Sequence, residues 1–185
     1  MNIASAIKIN SNALILLGHS PIASFEDVGS GAQVASNLYE TTLRAMLSDH
    51  RWRFATKKSQ LSRLVATPDN DFSYMFQLPT DYINMIRVIE TSHYEIYGDK
   101  VYTNSATCNI DYTYRVDESY FIPSFTKALE FYLAAQFAIP VTGNSTRAQE
   151  YNSMYEAQLR RAKNTDSSGR PNVGIQSSPF TDVRG

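Results

Sequence analysis

The spacing of apolar residues divides the chain into helical ends and a strand-rich middle. In the first seventeen residues, four apolar side chains recur at helical intervals: Ile3, Ile7, Leu14 and Leu17. Gly18 then supplies the residue type that commonly follows a helix C-terminus. A loop rich in Pro and Gly comes next, and a second helix is expected over about residues 31 to 49.

Helical spacing returns in the last third of the chain. A third helix is expected from Pro123 to about residue 139, because proline suits the first turn of a helix. Pro140 is expected to lie just after its end. A fourth helix, capped by Asn144 or Ser145, is expected to run to about residue 163.

The middle of the chain has the short, alternating pattern of β-strands. Six segments rich in β-branched and aromatic residues are expected to be strands: WRFATKK, SYMFQLP, YINMIRVIE, YEIYG, KVYTN and CNIDYTYRV. The dipeptide Gly98-Asp99 separates two of them and is typical of a hairpin turn. These strands predict a small antiparallel sheet structure inserted between two pairs of helices.

The predicted fold is therefore of the α+β class. Residues 1–51 and 118–163 are expected to form one helical bundle, since an isolated amphipathic helix is unstable in water. Residues 52–117 form an inserted β-rich subdomain, and residues 164–185 form an extended C-terminal tail, because their composition is too polar to build a core.

The third predicted helix is unusual because its segment FYLAAQFAI is apolar on nearly every side. A helix that is apolar all round must be covered all round. Either this helix is the centre of the bundle, or neighbouring subunits complete its burial, and the pattern alone leaves both alternatives open.

Charge is concentrated at one place in an otherwise balanced sequence. The net charge is −1, so attraction of the whole protein to DNA or to an anionic membrane is not expected. Yet the segment HRWRFATKK, at residues 50 to 58, holds four of the 17 Lys and Arg residues and the only Trp. A strand that begins at Trp52 would place Trp52, Phe54 and Thr56 on one face, and Arg53, Ala55 and Lys57 on the other.

Catalytic chemistry has no support in the residue pattern. The three histidines stand apart without partners at metal-ligand spacing, and no Ser or Cys lies in a nucleophile motif. We therefore expect no enzyme, no cofactor and no metal site. A membrane span is not expected either, because the chain has no run of 18 apolar residues, and no cleaved signal peptide is expected.

Several motifs, in order, resemble the tail tubular protein A family, the head-to-tail adaptors of short-tailed bacteriophages. The resemblance covers about residues 10 to 163. It lies in five segments: NALILLGHSPIASFED, WRFATKKSQL, FQLPTDYINMIRV, YEIYGDKVYTN and the stretch from IDYTYRVDESYF to QLRRA. The residues after Asn164 have no match in the family pattern.

The resemblance implies a structural protein at the head–tail junction of a virion, assembled in the host cytoplasm. Members form a ring, typically of about twelve copies, between the portal protein and the tail nozzle protein. Genomic DNA passes through the lumen without sequence-specific binding. Two alternatives stay open: a head-completion or stopper protein of another phage type, and a nucleic-acid-binding module that uses residues 50–58.

These expectations single out two sets of contact residues. The candidates for subunit or nozzle contacts are the four cations of residues 50–58 and two aromatic residues of the apolar helix. They are Arg51, Arg53, Lys57, Lys58, Phe131 and Phe137. Because the tail has isolated apolar residues of the kind that dock in grooves, it supplies the candidates for portal contacts: Arg170, Val173, Ile175, Phe180 and Arg184.

Overall fold

Four α-helices and six β-strands make up the part of the chain that the computed structural model describes, residues 2–168. The helices are α1 (Ile3–Leu16), α2 (Ser30–Ser48), α3 (Pro123–Thr142) and α4 (Ser145–Ser168). The strands are β1 (Thr56–Gln60), β2 (Tyr74–Gln77), β3 (Tyr82–Val88), β4 (Tyr94–Tyr97), β5 (Lys100–Thr103) and β6 (Asn109–Tyr114). Two short 3-10 turns are Arg53–Ala55 and Glu118–Tyr120. The predicted α+β class is confirmed, and the five candidate portal contacts lie outside the described residues.

Helix α3 is the centre of the helical bundle. It packs against α1, α2 and α4, and its buried residues lie on several sides of the helix. Of the two alternatives for the apolar segment FYLAAQFAI, the structure therefore supports the first, in which this helix is the centre of the bundle. The proposal of Phe137 as an interface residue is wrong, because its side chain is fully buried within the subunit. No helix within residues 2–168 has both the length and the hydropathy of a membrane span.

The buried face of α1 differs from the predicted one. Leu14 is buried as expected, but Ile3 is 61% exposed, and the face against the bundle is formed with Ala6, Ile9 and Ala13. Small alanine side chains allow α1 to lie close to α3, and this close approach decides which side of the helix is buried. Leu17 is also buried, and Gly18 has a φ of 78°, a left-handed conformation that ends the helix.

Two helices end later than expected. Pro140 lies inside the last turn of α3, where its missing N–H removes only one helical hydrogen bond. The helix ends at Thr142 and is capped by Gly143, which has a φ of 67°. The Gly143 N–H donates to the Ile139 carbonyl oxygen at 2.9 Å. Helix α4 continues through Ser168, so residues 164–168, expected in the tail, are helical.

The six strands form two antiparallel sheets of three strands each. The orders are β1-β6-β3 and β2-β5-β4. A second core lies between the sheets and includes Phe76, Val101, Cys108 and Ile110. Burial raises the pKa of the Cys108 thiol to about 11, so the thiol is protonated at neutral pH. The predicted hairpin joins β4 to β5, and Gly98 at its turn has a φ of 60°.

A buried polar cluster joins the sheets to the bundle. Arg115, next after β6, donates to Glu40 of α2 and to Glu118. Glu118 also accepts from the Tyr39 hydroxyl at 3.1 Å and from the Asn2 backbone N–H at 2.8 Å. Burial disfavours the charged form of Arg115, but its bonds to Glu118 and Glu40 outweigh this and raise its pKa. The end of β6 is thereby fixed to both α1 and α2.

Candidate basic groove

Trp52 fixes the segment that carries the basic residues. Its ring is fully buried in the helical core, and its Nε1–H donates to the Met46 carbonyl oxygen at 3.0 Å. The ring packs edge-on against Phe125 with the ring centroids 4.9 Å apart. Arg51 and Arg53, on either side of Trp52, are exposed. One buried aromatic residue therefore holds two arginines at the surface.

The predicted strand from Trp52 is wrong. Residues Arg53–Ala55 form a 3-10 turn, and β1 begins only at Thr56. The reason lies in the backbone hydrogen bonds, because the Arg53 N–H donates to both carboxylate oxygens of Asp166, at 3.1 and 3.2 Å. The Ala55 N–H donates to the Trp52 carbonyl oxygen at 3.1 Å. Trp52 consequently belongs to the bundle core and not to the core of the β subdomain.

Three of the four predicted basic residues line one groove. The groove is about 440 Å³ in volume and is lined by Arg51, Arg53, Thr56 and Lys58. Thr56 and Lys58 share a face of β1 because side chains alternate along a strand. The groove therefore combines two arginines from the entry to the strand with one lysine from the strand itself.

Lys57 lies on the opposite face of β1. Its Nζ is 3.1 Å from Asp81 Oδ2 and 5.1 Å from the centroid of the Tyr114 ring. This lysine thus has partners within its own subunit, whereas Lys58 points into the groove. The alternation of the strand therefore separates Lys57 from Lys58, and only Lys58 joins the two arginines in the groove.

A buried carboxylate lies beneath the groove. Strand register aligns Lys58 of β1 with Asp111 of β6, and Asp111 with Arg87 of β3. Asp111 is 1% exposed, and its Oδ2 is 2.7 Å from Arg87 Nε and 4.0 Å from Arg51 Nη2. The pair with Arg87 partly neutralises both charges. Arg53 and Lys58 have no ion pair with any residue within 2–168, so the groove keeps its positive charge.

The sequence did not identify Asp111, Arg87 or Asp166 as parts of this region. Asp111 had one visible signal, since an acidic residue stands in the middle of an aromatic strand, in NIDYTY. An acid at such a position requires a cation beside it. The identity of the cation beside Asp111 depends on strand register, and the position of Asp166 depends on helix packing. The residue pattern contains neither.

Phe131, the remaining interface candidate, lies partly exposed on α3. Its ring stacks against Tyr151 of α4 with centroids 6.4 Å apart, and Lys127 Nζ lies 4.8 Å from its centroid. Both contacts are within the same chain, and the role of Phe131 between subunits stays a prediction.

Fold and groove together define an α+β protein with a basic groove on its surface. The chain matches no family model, and no curated protein shows significant similarity to it.

Proposed function

We propose that the chain is a ring-forming head-to-tail adaptor subunit of a phage virion. It joins the portal protein to the tail nozzle and continues the DNA channel, and it performs no catalysis. The ordered motifs that resemble the tail tubular protein A family support this proposal. About twelve copies complete the ring, in which each subunit uses two different faces to contact its two neighbours.

The groove is the observation that carries the proposal. Arg53 and Lys58 have no ion pair among the described residues, and both are held on rigid backbone by Trp52, Asp166 and the β1–β6 ladder. Exposed acidic residues lie elsewhere on the chain, among them Glu26, Asp27, Asp69 and Asp71. A positive groove on one face and acidic residues on another suit a ring, in which one face of each subunit meets a different face of its neighbour. Complementary charges then fix the relative position of the two subunits.

The alternative of a nucleic-acid-binding module is less well supported. Base stacking needs an exposed aromatic ring, but Trp52 is fully buried. A channel that grips many phosphates would also hold DNA tightly, because each neutralised phosphate releases counterions.

Assembly with the portal protein tests the proposal. The purified chain is mixed with the portal protein of the same virion and imaged by negative-stain electron microscopy. We expect a ring of about twelve copies on one face of the portal. The chain alone serves as the control, since rings of this kind form on a template. A closed dimer with and without portal would contradict the proposal.

A further inference from the structure

Within residues 2–168, the outer edge of β1 has no strand partner. β1 is the terminal strand in the order β1-β6-β3, and it pairs only with β6. The Leu61 N–H donates to the Cys108 carbonyl oxygen at 2.8 Å, which fixes the alternation of the ladder. Ser59 and Lys57 therefore bond to β6, and the N–H and C=O groups of Lys58 and Gln60 point to the open side. Among the described residues, the Gln60 carbonyl oxygen there accepts only a local bond, from the Ser59 hydroxyl at 3.3 Å.

The open edge runs beside the basic groove. The Lys58 side chain lines the groove, and its main chain belongs to the open edge. Arg53 precedes this edge by only a few residues, and its guanidinium has no ion pair within residues 2–168. A ligand at this place therefore meets main-chain donors and acceptors along one side and positive charge along the other.

An extended acidic peptide matches both features. A peptide that adds to a sheet edge uses its own backbone to satisfy the unpaired N–H and C=O groups. Its side chains alternate between the two faces, so every second residue lies on the face of the groove. Carboxylates at those positions face Arg53 and Lys58. A nucleic acid uses the cations but leaves the backbone groups of the edge unpaired.

We propose that the open edge of β1 and the groove bind an extended acidic segment of a partner protein as a fourth strand. This inference adds a kind of partner to the proposed adaptor function. It rests on that function only for the location of the partner, in the virion neck. Lysine on an edge strand also hinders pairing with unselected strands. The same lysine therefore discriminates in favour of acidic segments over neutral ones.

Peptide binding to the full chain tests this inference. The probe is a short fluorescein-labelled peptide that alternates glutamate with threonine, and its affinity is measured by fluorescence anisotropy. A peptide with glutamine in place of glutamate, and an acidic peptide with prolines that remove the backbone donors, are the comparison probes. We expect both comparison probes to bind about tenfold more weakly than the acidic strand peptide.

Matched variants locate the binding site. Arg53→Gln combined with Lys58→Gln is expected to weaken the acidic peptide about tenfold. Lys57→Gln, the adjacent lysine on the opposite face, is expected to leave its affinity unchanged. Glutamine avoids a new repulsion with Asp111, and circular dichroism of each variant verifies its fold. A loss from Lys57→Gln equal to that of the Arg53/Lys58 double variant would overturn the assignment.

The remaining outcomes separate this inference from the adaptor function. Equal affinity for the acidic and the proline-containing peptides indicates a contact by charge alone and overturns strand addition. Duplex DNA that displaces the acidic peptide indicates a nucleic-acid surface and likewise overturns it. If the portal ring forms normally but the acidic peptide does not bind, only this inference fails. If the peptide binds but no ring forms with the portal, only the adaptor function fails.

Discussion

At the residue scale, Trp52 positions the arginines of the basic groove although its own side chain is not exposed there. The charges of Arg51 and Arg53 are exposed, yet their position depends on a ring that is fully buried between them. The indole N–H ends in a hydrogen bond to α2, so the ring also connects the second helix to the groove.

Trp52→Ala is expected to lower the free energy of unfolding by about 3–5 kcal/mol, the usual cost of a large aromatic truncation in a core. Urea denaturation followed by circular dichroism measures this loss. Arg51→Ala is the control, because its exposed side chain has only a 4.0 Å contact with Asp111, and a loss below about 1 kcal/mol is expected. Similar losses in both variants would mean that the ring does not anchor the bundle.

At the element scale, the joint between the sheets and the bundle depends on one carboxylate. Glu118 has a fully buried side chain and accepts hydrogen bonds from groups that follow β6, lie in α2 and precede α1. Glu40 contacts the same arginine, but its side chain is 42% exposed. The two acids therefore differ in solvation while sharing a partner.

Glu118→Gln is expected to cost on the order of 3 kcal/mol of unfolding free energy, since it removes one charge of a buried pair and leaves Arg115 less well compensated. Glu40→Gln should cost less than about 1 kcal/mol, because solvent screens that pair. Parallel urea titrations of the two variants give the comparison. A larger loss of unfolding free energy for Glu40→Gln than for Glu118→Gln would mean that Glu40, not Glu118, holds the sheets to the bundle.

The elements themselves were largely predictable, and their ends and register were not. Period-3.6 and period-2 patterns are local properties, so four helices and six strands could be located from the residues alone. Trp52 was misplaced because a bond to a distant element, from the Arg53 N–H to Asp166, decides where β1 begins. Pro140 was misplaced because a proline in the last turn does not end a helix, and α3 continues to the local cap at Gly143. The alignment of Lys58 with Asp111 is a property of strand pairing, which brings together residues 53 positions apart.

At the scale of the whole molecule, the end of α4 belongs to the groove as well as to the bundle. Asp166 in the last turns of α4 is buried and accepts the Arg53 N–H. Two truncations separate the role of Asp166 from that of the residues after Ser168, which we propose as portal contacts. The first ends at Ser168 and the second at Asn164.

The chain that ends at Ser168 is expected to keep its stability and to lose stable attachment to the portal. The chain that ends at Asn164 also loses the Asp166 bonds and about 1.5–3 kcal/mol of unfolding free energy. Thermal denaturation and co-sedimentation with portal measure the two effects. Portal attachment that is unchanged by the Ser168 truncation would remove the tail from the proposed contact.

The bundle is built from opposite ends of the chain, and this order matters during synthesis on the ribosome. Helix α1 packs on α3, but about a hundred residues must be translated between them, which takes on the order of ten seconds. During that time the apolar face around Ile9 and Leu14 lacks α3, its main partner. Nascent chains are therefore expected to need chaperone protection until α3 emerges, which makes translation speed a determinant of the yield of folded subunits.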